Sequence, residues 1–203
     1  ESFDIYPYRG EFWNTHGGSG YGSIQGRIND CDIAATFALA TDAFYPMLQN
    51  EQVINFLYEK AMDMGLENEK TSSKQIWENW AKGILRHTFT MSKDGRIYGN
   101  YGQQQNALAI AAVVLDNEPE TTEVVEWVLR TGANGTGGNV LTKIVDQVDR
   151  DGLGNETSDN YNGMWINSVN TIAEYLTVYE GRENLNLFEH PKFAQMYMPF
   201  KDR

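Results

Sequence analysis

An apolar run decides the fold of this chain: Ala107-Leu108-Ala109-Ile110-Ala111-Ala112-Val113-Val114-Leu115. Its composition predicts a strongly apolar helix over about residues 104–115. Just before it, Gly99 and Gly102 flank Asn100-Tyr101, so the backbone can turn sharply there and present both side chains. A turn that only caps the helix is the simpler interpretation of the same residues.

Six further segments carry apolar residues at helical spacing. They run from about Asn29 to Pro46, Glu51 to Met64, Ser73 to Leu85, Pro119 to Gly132, Val140 to Gln147 and Tyr161 to Tyr179. The first is predicted to bury Ile33, Phe37, Ala40 and Phe44, and the second Val53, Phe56, Leu57 and Ala61. Helices joined by short Gly-rich loops predict an all-α fold, and loosely similar antiparallel helical hairpins favour an incomplete α/α toroid. Only Arg96–Tyr98 suits a short strand.

Net charge, the cysteine count and the length of the apolar runs exclude several classes of protein. The chain has 203 residues and a net charge of −12, from 16 basic and 28 acidic side chains. This charge argues against a nucleic-acid binder, and only mildly against a polyanionic substrate, because a single cleft can be locally basic. Cys31 is the only cysteine, which excludes a disulfide within the chain. No apolar run approaches the ~20 residues that span a membrane.

The chain is predicted to be part of one helical domain of a longer protein. It opens at Glu1 without an initiator methionine, and residues 1–28 form an irregular segment rich in glycine and tyrosine. Glycine at this density breaks both helices and strands. A signal peptide, if the whole protein has one, would precede this segment.

A second stretch, residues 149–165, is rich in acidic, amide and glycine residues. A calcium-binding loop does not fit it: aligning Gly152 with the loop's invariant glycine puts Ser158 where a bidentate glutamate is needed. The plain structural interpretation is a polar loop followed by a capped helix, with Tyr161 and Trp165 one turn apart on its buried face.

Taken together, the two stretches resemble the heparinase II/III-like and alginate-lyase-like polysaccharide lyases over about residues 95–180. That family has an Asn-His-Gly or Asn-Tyr-Gly type of turn before an apolar helix that ends in Leu-Asp. Further on it has an Asp-Gly pair, a glutamate and a tyrosine that opens a long helix. The corresponding residues here are Asn100-Tyr101-Gly102, Leu115-Asp116, Asp151-Gly152, Glu156 and Tyr161.

The resemblance implies β-elimination on a uronate-containing polysaccharide. Asn100 would neutralise the uronate carboxylate and Tyr161 would act as acid and base. Tyr101 stands where one form of the turn carries a histidine. If that histidine is the base in the family, then here either Tyr161 acts alone as the base or another histidine takes this role. The further residues implied or considered are Tyr101, Gln104, Glu156, Trp165 and Arg27 for substrate binding, and His16, His87 and His190 as replacement bases.

The resemblance also implies partners and a location. The substrate would be an anionic polysaccharide or oligosaccharide, and a C-terminal β domain, absent from this chain, would complete the cleft. No cofactor and no metal ligand is expected here, since the family's structural metal belongs to that β domain. The location would be periplasmic or secreted. Two alternatives stay open: an α/α-toroid glycoside hydrolase that pairs Glu156 with Asp151 or Asp159, and a non-catalytic carbohydrate-binding helical module.

Overall fold

The computed structural model describes residues 28–97, 99–150, 152, 154, 158–179 and 186–200. Its α-helices are α1 (Ile28–Phe44), α2 (Glu51–Asp63), α3 (Ser73–Trp80), α4 (Arg86–Lys93), α5 (Gln103–Leu115), α6 (Glu120–Glu126), α7 (Val140–Gln147) and α8 (Asp159–Val178). π-helical turns at Ala81–Leu85 and Trp127–Thr131 join α3 to α4 and extend α6. Short 3-10 helices cover Tyr45–Gln49, Asn134–Thr136, Leu187–Glu189 and Ala194–Phe200.

The predicted all-α class is confirmed for this part of the chain. The β pairing found in the same ranges is one antiparallel bridge between Val148 and Gly154, which closes part of the loop between α7 and α8. No helix in these ranges combines the length and apolar composition that a membrane crossing requires.

Helix α5 is the centre of the core because it is buried on both sides. Its Leu108, Ala109 and Ala112 pack with residues of α6, α7 and α8. Its Ala107, Ile110 and Ala111 pack into a second cluster with α1 and the α3–α4 segment. A helix that is apolar all round requires this position. The run at 107–115 therefore fixes the arrangement of the other helices around it.

Helix α1 packs against α5 through small residues. Cys31, Ala34, Ala35 and Ala38 are buried, whereas Phe44 is 57% exposed. The predicted face with Ile33 and Phe44 inside is therefore wrong. Small side chains let the two helix backbones approach closely, and this packing outweighs the larger apolar area of the residues on the opposite face.

Helix α2 also differs from its predicted face. Ala61 is buried as expected, but Phe56 is 57% exposed. Val53 and Leu57 are only half-buried. Asn50 caps this helix by accepting a hydrogen bond from the Gln52 amide at 2.9 Å, so its start is fixed locally rather than by burial.

The short strand predicted at Arg96–Tyr98 is wrong for the two described residues. The amides of Arg96 and Ile97 both donate to the Met91 carbonyl, at 2.9 and 3.3 Å. These hydrogen bonds therefore give the Met91 carbonyl, near the C-terminal end of α4, the partners that it lacks within the helix. Tyr98 lies outside the described residues.

An ion pair joins α4 to α6 across the face of α5. Arg86 Nη2 lies 2.7 Å from Glu120 Oε2, and Arg86 Nε donates to the same oxygen at 2.9 Å. The hydrogen bonds from Arg86 and then from Asn117 hold the pKa of Glu120 below its usual value of 4.5. Because both side chains are about two-fifths exposed, we expect a small contribution to stability.

We expect Glu120→Gln to lower the free energy of unfolding at neutral pH by less than ~1 kcal/mol. A carboxyl group whose pKa is lower in the folded state stabilises the fold above its unfolded pKa and loses this effect as the pH falls through the folded pKa. The difference between wild type and variant should therefore shrink below about pH 4 in urea titrations. Glu78→Gln, in the exposed pair with Lys74 at 3.9 Å, is the control. A difference that persists in acid would contradict this assignment.

Candidate functional site

A cavity of about 210 Å³ lies where the loop before α5 meets α7 and α8. It is lined by Asn100, Tyr101, Lys143, Tyr161 and Trp165. Four of these five are site residues predicted from the sequence, although they are separated by as many as 65 positions in the chain (165 − 100). The two stretches singled out above therefore meet at one place.

The turn that presents Asn100 and Tyr101 depends on Gly102. Its φ is +98°, a value that residues with a side chain rarely adopt. A Cβ atom at this position would lie 2.7 Å from Ser168 Cβ and 3.2 Å from Trp165 Cα. Glycine is required here both for the backbone conformation and for the close approach of the turn to α8.

Three successive glutamines hold this turn in place. Gln103 Oε1 accepts from the Asn100 amide at 2.9 Å, and Gln105 Oε1 accepts from the Gly102 amide at 3.0 Å. Gln104 Nε2 donates to the Ile97 carbonyl at 2.8 Å. Gln103 and Gln105 thus satisfy backbone amides of the turn at the start of the helix, and Gln104 ties the helix to the segment before the turn. Their effect is to fix the direction in which Asn100 and Tyr101 point.

Gln105 also ties the turn to the glycine-rich segment before α7. Its Nε2 donates to the Gly138 carbonyl at 3.0 Å. A Cβ atom on Gly138 would lie 2.2 Å from the Gly132 carbonyl carbon, so two backbone segments are in direct contact there. The glycines at 132–138 thereby allow α7, with Lys143, to lie beside the turn.

Tyr101 forms a half-buried wall of the cavity. Its phenol donates to the Asn139 carbonyl at 3.3 Å, and its ring lies edge-on to Trp165 with 6.0 Å between centroids. Burial raises the pKa of the Tyr101 phenol well above its usual range. At neutral pH this side chain is therefore a protonated phenol that is already engaged with a backbone carbonyl.

Lys143 brings a positive charge to the cavity. Its side chain is 6% exposed, and Nζ lies 4.4 Å from the centroid of the Tyr101 ring. A cation over an aromatic face is attracted by the ring's quadrupole, an effect of about 0.5–2 kcal/mol. Lys143 is the only charged side chain among the described residues that line the cavity.

Helix α8 supplies the other two aromatic side chains. Tyr161 is the third residue of the helix, and Trp165 follows one turn later. The prediction that both lie on the buried face is wrong for Tyr161, which is 46% exposed while Trp165 is 2% exposed. Trp165 thus forms the cavity floor and Tyr161 its accessible edge, because the cavity opens at the start of the helix.

The remaining predicted site residues are placed differently. Gln104 is buried and bonded to the Ile97 carbonyl, away from the residues that line the cavity. Glu156, Arg27, Asp151 and His16 lie outside the described residues. Asp159 is exposed at the start of α8 and is not among the lining residues.

Two of the three histidines are described, and neither lines the cavity. His87 lies in α4, where burial lowers its pKa. Its Nε2 atom is buried and finds no hydrogen-bond partner within the described ranges. His190 Nδ1 accepts from the Lys192 amide at 3.2 Å. Neither residue is in place to replace the histidine of the related turn.

Lys143, Gln103 and Gln105 were not predicted as site residues. The sequence held one signal for Lys143: it falls between Val140 and Ile144, both buried, on the apolar face of a short helix. A lysine on such a face indicates either a side chain that reaches out to solvent or a charge held in a cavity. The two glutamines carry no signal beyond their adjacency to the turn.

A second cavity, of about 200 Å³, lies over α5 between α4 and α6. Its lining is largely apolar, from residues such as Leu85, Phe89 and Leu115. Its charged residues include Arg86 and Glu120, which are paired with each other. This cavity therefore offers burial rather than groups for acid–base chemistry.

Within the described ranges, no cluster of three or more histidine, cysteine, aspartate or glutamate side chains is placed to hold a metal ion. The buried Cys31 thiol has a pKa raised to about 12, chiefly by desolvation. It packs beside Gly99, where a Cβ atom would lie 3.1 Å from Sγ. Cys31 thus supports the turn as an unreactive small side chain.

Comparison with known proteins adds no relative: no protein-family model, no curated protein and no solved structure matches the chain.

Proposed function

We propose that this chain carries part of the active site of a polysaccharide lyase that cleaves a uronate-containing polysaccharide by β-elimination. The observation that carries the proposal is the cavity shared by Asn100 and Tyr161. It combines an amide, an accessible phenol and aromatic walls. These are the groups that such an elimination uses to bind a uronate and move its C5 proton.

Asn100 is proposed to stabilise the charge that develops on the uronate. Removal of the C5 proton places negative charge on the C6 carboxylate, which becomes enolate-like. An amide N–H donor held toward that oxygen lowers the barrier, as in an oxyanion hole. The Gln103 and Gly102 contacts support this role, because a donor acts best when its position is fixed before the reaction.

Tyr161 is proposed as the acid and base. Its phenolate would take the C5 proton, the C4=C5 double bond would form, and the C4–O4 bond would break. The phenol would then return that proton to the leaving O4 atom, so no net proton is consumed. Tyr161 lies in the first turn of α8 and is 46% exposed, so its hydroxyl group can reach a sugar bound in the cavity.

Tyr101 is a poor candidate for the base. Burial keeps its phenol protonated, and its hydroxyl group is bonded to the Asn139 carbonyl. With His87 and His190 elsewhere, Tyr161 is the accessible titratable group among the described lining residues. We therefore assign both proton transfers to it, and assign Tyr101 and Trp165 to the walls that contact the sugar.

The proposed function also implies an architecture, a second domain and a location. We infer that the helices are part of an α/α toroid whose loops form the rim of a substrate cleft, as is usual for functional loops. A C-terminal β domain of the same protein would complete the cleft, and the protein would act in the periplasm or outside the cell. Glu156 and Arg27 remain proposed contributors to substrate binding, whereas Gln104 acts only on the turn, through the Ile97 carbonyl.

A carbohydrate-binding module without catalysis is the second candidate. The observation that favours it is Tyr101, a half-buried phenol, protonated and hydrogen-bonded, at the position where the related turn can carry a histidine base. The hydrolase alternative pairs Glu156 with Asp151 or Asp159; of these, Glu156 and Asp151 lie outside the described residues, and Asp159 does not line the cavity. Among the described residues that line the cavity there is no carboxylate.

The test is an activity screen on a panel of uronate polymers, including glycosaminoglycans, alginate and ulvan. Ultraviolet absorbance of unsaturated uronate would be followed for this chain and for the product of its whole reading frame. We expect absorbance to rise with at least one polymer. Binding of a polymer without any new ends would favour the binding module, and new reducing ends without absorbance would favour hydrolysis.

A further inference from the structure

The second cavity, between α4 and α6, shares none of its described lining residues with the site proposed for the lyase. Its floor is helix α5, which contributes Ala111, Ala112 and Leu115. Because the two alanine side chains are short, they leave space between the walls on either side. That space of about 200 Å³ is larger than the ~150 Å³ that holds benzene in an apolar protein cavity. It can therefore accommodate a small organic molecule.

Contacts outside the cavity hold its aromatic wall in place. The Phe89 ring lies edge-on to Trp127, with 5.8 Å between centroids, and Lys93 Nζ lies 4.8 Å from the centre of the Phe89 ring. The Trp127 indole in turn donates to the Thr136 carbonyl at 2.8 Å. A ligand would meet a wall that is already ordered, so binding costs little side-chain entropy.

Both helices that form the walls run into a π-helical turn. Ala81–Leu85 leads directly into α4, and its last residue lines the cavity. Trp127–Thr131 continues α6, three residues after Val124 of the opposite wall. Such turns are rare and occur frequently at functional sites. Two of them beside one cavity are an indication of a binding site that is independent of its volume.

The charges at the mouth of the cavity are neutralised in pairs. Arg86 Nη2 lies 2.7 Å from Glu120 Oε2, and Lys93 Nζ lies 3.6 Å from Glu123 Oε1. These pairs include every described charged residue of the lining. A charged ligand would lose hydration on entry without gaining an opposite charge of its own. The lining is therefore electrostatically complementary to a neutral molecule.

We propose that this cavity binds a small, neutral aromatic molecule. The ring of the ligand lies over the alanines of α5 and contacts Phe89 edge-on or in an offset stack, the two arrangements that aromatic pairs prefer. A polar substituent stays at the mouth, beside the exposed Thr90. This binding site and the proposed lyase chemistry do not depend on each other.

The experiment uses three probes of nearly the same shape: neutral p-toluamide, anionic p-toluate and cationic p-methylbenzylammonium. Each is titrated into the full chain at neutral pH, with alanine and valine methyl groups observed by NMR. We expect the amide to bind with a dissociation constant on the order of 1 mM or below, and each ion to bind at least ~10-fold more weakly. The shifted methyl groups should be those of Ala111, Ala112 and Val124, which line the cavity.

A variant that fills the floor tests the location. Ala111→Leu places three more carbon atoms in the cavity, so we expect the affinity for p-toluamide to fall at least ~10-fold while the protein stays folded. Ala43→Leu makes the same change at an exposed position of α1 and should leave the affinity unchanged.

Four results would overturn the proposal: p-toluamide does not bind, an ion binds as tightly as the amide, the shifted methyl groups lie elsewhere, or Ala111→Leu keeps the wild-type affinity. If Ala111→Leu does not fold, the first three results still decide the matter, because they need no variant. No readout depends on turnover of a polysaccharide, so failure of this proposal and failure of the proposed function are separate outcomes.

Discussion

Replacing Tyr161 by phenylalanine is expected to lower kcat on the preferred polymer by ~10³-fold, since it removes the group that transfers both protons. The phenyl ring keeps the edge of the cavity, so KM should change little. Because Tyr161 is about half exposed, its hydroxyl group contributes little to folding, and the thermal unfolding midpoint should stay close to that of the wild type. Initial rates of unsaturated uronate formation give the measurement.

Two other tyrosines make this prediction specific. Tyr58→Phe removes an exposed hydroxyl group on α2, away from the cavity, and should leave the rate unchanged. Tyr101→Phe removes the hydrogen bond to Asn139, so we expect a loss of stability of about 1 kcal/mol and a smaller loss of rate than at Tyr161. If Tyr101→Phe is inactive while Tyr161→Phe is active, the assignment of the base is wrong.

Gly102→Ala is expected to have the largest effect on stability, about 3 kcal/mol. Alanine at φ +98° is strained, and its Cβ atom would lie 2.7 Å from Ser168 Cβ on α8. The turn must move outward, which also displaces Asn100 and lowers the rate. For a chain of this length, we expect the unfolding midpoint to fall by roughly 6–12 °C.

Two further glycines separate the causes of this effect. Gly95 has φ +65° with nothing within 4 Å of a Cβ atom, so Gly95→Ala should show the conformational part alone, about 1 kcal/mol. Gly163 lies inside α8 with the same open space, so Gly163→Ala should be neutral or stabilising. A Gly102→Ala protein as stable as the wild type would mean that the turn does not approach α8 this closely.

The predictions from the sequence succeeded where a local signal was strong. The apolar run at 107–115 indicated the helix that proves to be central, and Val140–Gln147 was predicted with its observed bounds. The glycines around Asn100-Tyr101 indicated a sharp turn, and a glycine with positive φ is found at Gly102. These features depend on neighbouring residues, which a single sequence records directly.

Features that depend on long-range packing were predicted less well. Large apolar residues were assigned to the core in α1, but Ala34 and Ala38 are buried because they allow close contact with α5. Tyr161 was placed on the buried face of α8 together with Trp165, although a cavity opens beside it. Lys143 was missed because its neighbour in space, Tyr101, is 42 positions away in the chain (143 − 101). Spacing alone cannot show such a pair.

The most direct test of the account is the chemical structure of the product. The polymer that gives the strongest response in the screen would be digested, and its fragments analysed by mass spectrometry. Elimination predicts fragments with an unsaturated uronate at the new non-reducing end, one water lighter than hydrolytic fragments, and their loss in Tyr161→Phe. Saturated fragments that carry the added water, or a polymer left intact by the folded protein, would contradict it.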